Sequence, residues 1–175
     1  LFREFVRLLR GLQPKVFVME NVSGMVKGKM KLVFVEILRE LKASGYRVSA
    51  WLLNAMYFHV PQSRQRMIFI GVREDLDIEP SHPVAMSSPV TVQDAWIGGV
   101  PICSIEMPPV TGKTFEALVK CKPGQSIADV LGRSFSARRV SMDENAPTII
   151  KTLPFHRYPG MFHPFENRGI TIAEV

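Results

Sequence analysis

The first 73 residues switch between two hydrophobic periods, and this switching constrains the fold more than any other feature. Phe2, Phe5, Val6 and Leu9 stand at i, i+3, i+4 and i+7, one face of a helix. Gly11 and Pro14 predict its end. Val16 to Met19 is a continuous apolar run, as expected of a strand covered on both faces and running parallel to its neighbours. Phe34, Ile37, Leu38 and Leu41 restore the helical stripe, closed by Gly45. Residues 46–53 predict a second strand, with Val48, Ala50 and Leu52 on one side, and residues 67–72 a third, interior one. Helix, strand, helix, strand, loop, strand is the alternation of an α/β layered sheet.

The 175 residues suffice for one domain with a core and a smaller lobe. No apolar run reaches membrane-spanning length and no leader pattern is present, so no membrane partner and a cytoplasmic setting are expected. Cys103 and Cys121 are too few for a disulfide framework, and with the four histidines they offer no metal-ligand spacing. The net charge of +6 is unevenly spread. Residues 1–80 hold 13 Lys and Arg against 8 Asp and Glu, whereas residues 81–150 hold six of each. A polyanion such as nucleic acid fits that imbalance, as does the mild basicity of many soluble proteins. The chain starts at Leu1, inside the first predicted helix, and stops at Val175 as another helix opens, which suggests a piece of a longer protein.

Near residue 74 the character changes. "REDLDIEPSHP" is acidic and then broken by prolines, and residues 80–147 are rich in Pro, Gly, Ser and Thr without sustained helical period. Ile102, Ile105, Val110, Phe115, Leu118 and Val119 supply a core, so an irregular, β-leaning lobe is expected. The chain is thus read as a catalytic α/β portion at 1–79, a lobe at 80–147 and a return segment at 148–175.

Three stretches carry chemistry. In "VFVMENVSGM" the apolar run ends on Glu20 and Asn21, at the strand end where open α/β sheets bind ligands. A half-buried carboxylate there could hold a proton and give it to a ring nitrogen, though Glu20 also reads as a capping or loop acid. In "VPQSRQRMIFIG", Gln62, Arg64 and Arg66 alternate, so extended chain aims all three to one side. Two guanidinium forks leading into an apolar strand call for anions or base edges. "KGKMK", residues 27–31, is a solvated basic loop or a phosphate contact. In "NRGITIAEV", Thr171 and Glu174 have capping-box spacing.

Together, "PKVFVMENVSGM", "LLNAMYFHVPQSRQRMIFIGVR", "APTI" and "HPFENRGITIAEV" resemble, in order and spacing, consecutive motifs of the DNA (cytosine-5)-methyltransferases, over the whole chain. The resemblance implies part of a Rossmann-like methyltransferase sheet with a smaller target-recognition lobe. It implies methyl transfer from S-adenosylmethionine to C5 of a cytosine in duplex DNA, flipped out of the stack, within either a modification system or a restriction–modification system, the latter with a cognate endonuclease as partner. A tRNA-modifying branch, or a truncated remnant that only binds nucleic acid, are the other readings.

By the resemblance, Glu20 contacts N3 and the exocyclic amine as a protonated donor, and Asn21 shapes its turn. Arg66 binds the cytosine O2, and Arg64 braces the site. Gln62 and Thr148 lie toward the DNA. Arg168, Thr171 and Glu174 match the motif that holds the lobe, Arg168 also lying toward DNA, and Ile170 replaces its usual leucine. Leu1 matches a cofactor-pocket residue. Arg133, Ser136, Arg138 and Arg139, then His156, Arg157 and Tyr158, are candidate contacts to bases or phosphates. The family's Pro-Cys nucleophile is missing, since Cys103 follows Ile102 and Cys121 lies between lysines. The glycine-rich cofactor loop and closing motif are missing too. The chain alone is therefore expected to be inactive and to associate through an exposed sheet edge.

Overall fold

The computed structural model describes residues 2–26, 28, 30–96, 109–132, 137–149, 160–171 and 174. It divides into two compact units, residues 1–54 with 65–85 and residues 55–64 with 86–175.

The first unit is a three-stranded sheet with two helices on one face. Helix α1 (Phe2–Leu12) buries Val6 and Leu9, and α2 (Met30–Lys42) buries Ile37 and Leu41. Strands β1 (Val16–Val22), β2 (Tyr46–Asn54) and β3 (Gln65–Arg73) order as β1-β3-β2. The expected central strand is therefore β3. Both pairings are antiparallel, with Phe17 opposite Gly71 and Val48 opposite Gly71 on the other side. Among the described residues the parallel neighbour expected for β1 is not found. Periodicity shows that a strand is apolar, but the direction of its neighbour depends on chain routing, which no local pattern records.

Period-two alternation gives the sheet two unlike faces. Phe17, Met67, Phe69 and Tyr46 form a core with the two helices, and Met19, Val48 and Ala50 pack against it. A Cβ on Gly71 would overlap the Phe17 ring, so glycine is required where that ring crosses β3. The opposite face carries Val16, Val18, Glu20 and Val22, and the three valines are 51, 64 and 56% exposed. Among the described residues β1 is an edge strand with helices on one face, so the run is covered on one side there. Along β2 that outer face is partly covered by the segment after β3. Arg47 pairs with Asp77 and Glu79 at 2.6 and 3.0 Å, and His82 stacks on Trp51 with centroids 4.9 Å apart.

Helix α1 passes through Gly11 and stops at Leu12. Gln13 takes the left-handed conformation (φ 46°), with its N–H on the Leu9 carbonyl at 3.0 Å and its own carbonyl accepting from Arg73 Nη1 at 2.6 Å. Pro14 follows, and its carbonyl accepts from the buried Tyr46 hydroxyl at 2.7 Å. Gly45 turns α2 into β2 with φ 89°.

The second unit is less regular, as expected, but its described elements are mostly helical. They are α3 (Val92–Ala95), α4 (Gly112–Lys120), α5 (Ile127–Leu131) and the two-residue parallel strands β4 (Arg138–Arg139) and β5 (Met161–Phe162). Thr91 and Asp94 form a reciprocal capping box on α3. Leu118 is fully buried with Ile127 and Phe162, whereas Phe115 and Val119, expected in the core, are 42 and 56% exposed. Ile102 and Ile105 lie outside the described residues. No helix among the described residues is long and apolar enough to cross a membrane.

Candidate active site and recognition lobe

In the first unit, the antiparallel register sets Glu20 opposite Ile68 and Arg66 opposite Val22. The two are diagonal neighbours on the outer face, and Arg66 Nε meets Glu20 Oε1 at 2.5 Å. Arg66 also donates from Nη1 to the Gln65 carbonyl at 2.8 Å, which fixes the guanidinium plane. The Glu20 side chain is 53% exposed and that of Arg66 25%. The carboxylate is thus more open than a buried strand end would make it, and its partner is a cation. Asn21 points to the other face of the strand, and its Oδ1 accepts from the Val22 N–H at 2.8 Å.

In the second unit, residues 61–63 run beside 146–148. Gln62 bridges Ala146 in parallel fashion, Ser63 N–H donates to the Ala146 carbonyl at 2.8 Å, and Ala146 N–H donates to that of Pro61 at 2.8 Å. Thr148 Oγ1 closes the ladder on the Ser63 carbonyl at 2.9 Å. The stretch carrying Gln62 and Arg64 is therefore held by the stretch carrying Thr148. Gln62, Arg64 and Arg66 are half-buried while Ser63 and Gln65 are exposed, as the alternation predicts. Ser63, Thr148, Asn145, Glu144 and Arg138 line an open groove of about 450 Å³. Neither Asn145 nor Glu144 stands out in the sequence, where they read as an ordinary polar turn.

The arginine candidates separate. Arg138 is exposed, donates to the Gly124 carbonyl and lies 3.5 Å from Glu144. Arg139 is 4% exposed. Its Nη1 donates to the carbonyls of His163, Pro164 and Glu166, and its Nη2 to Leu118 at 2.8 Å and Asn167 at 2.5 Å. Burial lowers its pKa, and the carbonyls satisfy its two terminal nitrogens near the negative end of α4, while its buried Nε has no hydrogen-bond partner among the described residues. In this structure Arg139 is a cation that ties 163–167 to α4. Arg168 is engaged within the same segment. It forks onto Glu174 at 2.6 and 2.9 Å and reaches Glu166 at 2.6 Å. Its pKa is raised, first by the bond to Glu174.

Glu174 is buried. Desolvation alone would raise its pKa, but the Arg168 fork and the Thr171 N–H, 2.7 Å away, hold it below the usual value. Glu174 thus reaches back as the capping-box spacing predicts. His163, 1% exposed, accepts from the Phe165 and Glu166 N–H groups at Nδ1 and lies 3.8 Å from Glu174 through Nε2. Burial, then the Arg168 charge, push its pKa down. Cys121 is buried and its thiol pKa raised by desolvation, the reverse of an activated nucleophile. Leu1, Cys103, Arg133, Ser136, His156, Arg157, Tyr158 and, in the basic loop, Lys27 and Lys29 lie outside the described residues.

An antiparallel sheet backed by two helices thus carries an acid and a guanidinium paired on its open face, on an α/β scaffold. The family model for C-5 cytosine-specific DNA methylase matches residues 1–151, and the chain belongs to that family. It is similar to M.PspPI, a type II methyltransferase of Psychrobacter, at 28% identity over 98% of this chain and 46% of the relative. It is similar to M.BspRI of Lysinibacillus sphaericus at 46% identity over 83 residues, 47% of this chain and 20% of that protein. The chain spans less than half the length of these curated relatives. Among solved structures it shares its fold with an E. coli prophage protein described as a candidate DNA modification methyltransferase, at TM-score 0.62 and 22% identity, covering 97% of this chain and 60% of that one. It shares it also with Spodoptera frugiperda DNMT2, at TM-score 0.55 and 15% identity, covering 92 and 44%.

Proposed function

We propose that this chain supplies the base-binding face and the recognition lobe of a DNA (cytosine-5)-methyltransferase acting on duplex DNA. The Glu20–Arg66 pair carries the reading. Cytosine C5 is a poor nucleophile until a thiolate adds at C6, which drives electron density toward N3 and O2. Arg66 places planar donors at O2, where that charge develops. Glu20 accepts from the exocyclic amine, and in its acid form gives a proton to N3. At 2.5 Å the two side chains leave no gap for a ring, so the base must take the place of their mutual contact. Each then exchanges its partner for one edge of the base. Asn21 shapes the end of β1, and Arg64 braces the loop held by Thr148.

The methyl group would come from S-adenosylmethionine. The described residues do not compose a site for it, and the single contact assigned by resemblance, Leu1, lies outside them. The roles given to this chain therefore concern the base alone. Residues 80–147 would read the target sequence, 148–175 would return toward the catalytic portion, and Gln62, Thr148 and Arg138 would face DNA. Relatives named as type II methyltransferases support a restriction–modification setting with a cognate endonuclease.

The test uses the intact enzyme that contains this sequence. Glu20→Gln should lower methylation of duplex DNA by roughly a hundredfold or more and change DNA affinity by less than about threefold, since its bond strengthens in the transition state. Arg66→Ala should also lower turnover. Equal losses of binding and turnover, or preference for tRNA over DNA, would refute the assignment.

A further inference from the structure

Arg138 and Glu144 line the groove beside Thr148, and each stands on backbone held by hydrogen bonds. The Arg138 N–H donates to the Gly160 carbonyl at 3.2 Å, and Arg138 bridges Ser126 in antiparallel fashion. The Glu144 carbonyl accepts from the Val92 N–H at 2.9 Å, and that of Met142 from the Gln93 N–H at 3.0 Å. Gly124 brings the two side chains together. Its carbonyl accepts from Arg138 Nε, and the Glu144 carboxylate lies against its backbone, where a Cβ would meet Oε2 at 3.4 Å. Its φ of 81° also requires glycine. Arg138 Nη2 is then 3.5 Å from Glu144 Oε2. The side chains keep 47 and 54% exposure, so a pair this loose contributes little to folding. Asp143 adds a second carboxylate to the groove.

Resting on the proposal that this groove faces duplex DNA, we infer that Arg138 and Glu144 together read one G·C base pair in the major groove, with Glu144 as the specificity-determining acceptor for the cytosine amine. The order of atoms carries the argument. Nε is engaged by the Gly124 carbonyl, so the fork left to Arg138 is its two terminal nitrogens. Nη1, Nη2 and Glu144 Oε2 then present donor, donor and acceptor. The major-groove edge of a G·C pair offers the complementary row, with guanine N7 and O6 as acceptors and the cytosine N4 amine as donor. O6 and N4 share the base pair's own hydrogen bond and so lie on the order of 3 Å apart. The 3.5 Å between Nη2 and Oε2 matches that spacing. A T·A pair puts O4 and the adenine amine in the same two places, but sets the thymine methyl where N7 would be, and Nη1 loses its acceptor. A phosphate fits worse, since the fork would bring it against the carboxylates of Glu144 and Asp143.

The test runs the intact enzyme on a library of duplexes to define its methylated site, and then on every single-base-pair change of that site. At one G·C pair other than that of the target cytosine, Glu144→Ala should lower discrimination against the other three pairs by roughly tenfold, and Arg138→Ala should relax the same pair. N4-methylcytosine placed in that pair gives a second readout, because its methyl replaces the amine hydrogen that faces the groove. It should slow the unaltered enzyme by roughly tenfold and the Glu144→Ala enzyme by less than about twofold. The salt dependence of DNA binding should keep its slope in Glu144→Ala, since no phosphate contact is lost. A carboxylate that serves folding alone would lower the melting temperature and slow methylation of every duplex equally. An Arg138 bound to phosphate would, on substitution, weaken all duplexes alike and reduce the salt slope by about one. Either result overturns the inference, as does relaxation by the two substitutions at different base pairs. Methylation of DNA with discrimination unchanged in Glu144→Ala overturns this inference alone, whereas an unaltered enzyme that leaves duplex DNA unmethylated overturns the assignment to DNA and this inference with it.

Discussion

Replacing Glu174 with glutamine tests the account of the second unit most directly. The carboxylate is 1% exposed and accepts from Arg168 at 2.6 and 2.9 Å and from Thr171 N–H at 2.7 Å. Glutamine keeps the shape but removes the charge, and it turns one acceptor into an NH₂ that faces a donor. Breaking a buried pair from one side costs about 3–5 kcal/mol. Arg168 retains 27% exposure and keeps Glu166, so the lower end, about 3 kcal/mol, applies here. For a chain of this size each kcal/mol moves Tm by about 2–4 °C, so circular dichroism at neutral pH should show a fall of roughly 6–12 °C. Glu166→Gln is the control, since that carboxylate is 57% exposed and its pair is worth under about 1 kcal/mol. Arg168→Met combined with Glu174→Gln should recover part of the loss, because no unpaired cation remains. A Tm change under about 2 °C for Glu174→Gln, or one no larger than for Glu166→Gln, would refute the buried-pair argument.

Acid should destabilise the lobe in two stages. His163 is faced by Arg168, Glu166, Glu174 and Arg139, and its folded pKa lies below the ordinary 6.5. The unfolded chain therefore takes up its proton first, and stability is lost as pH falls from 6.5 toward the folded value. Glu174 and Glu166, both depressed from 4.5, add a second loss as pH falls below that value. Denaturation followed from pH 8 to 3 should show both, and His163→Asn should remove only the upper slope. Gly71→Ala drives a methyl into the Phe17 ring and should cost about 1–3 kcal/mol in a urea melt, partly restored by Phe17→Leu. DNA affinity of the intact enzyme should fall steeply with added salt, and a flat response would argue against a phosphate-dominated interface.

Helices α1 and α2 are legible because each keeps one helical stripe over 11 and 13 residues, β2 because its residues alternate, and β1 and β3 because each contains a short apolar run. Helices α3 and α5 are not, since four and five residues are too few to show a 3.6-residue period. The site is legible in residue type and partly in role. Adjacent residues in extended chain face opposite ways, so Arg138 and Arg139 could not both have faced a ligand, and β4 indeed has one exposed and one buried. The sequence cannot say which. The burial of Arg139 depends on carbonyls of 163–166, distant in sequence and irregular in conformation. Arg168, by contrast, has its partners nearby, at Glu166 and Glu174.

The carboxylate at the end of an apolar strand is explained by register. Glu20 and Arg66 share a face because Phe17 stands opposite Gly71, so that Val22 stands opposite Arg66. A slip of one residue between β1 and β3 would turn every β1 side chain over relative to β3 and leave the two charges on opposite faces. A slip of two would keep the faces but set Phe17 against Phe69 and move Met19 off it, where the core has no room for a second ring. Gly71, whose missing side chain admits the Phe17 ring, is thus what locks the ladder at its far end and aligns the acid with the guanidinium five residues away. Gly71→Ala should consequently disturb the Glu20–Arg66 pair as well as the core. In the intact enzyme it should reduce turnover more than Phe17→Leu does at equal loss of stability. Equal turnover at matched stability would mean that the register is set elsewhere, and that the glycine serves the packing alone.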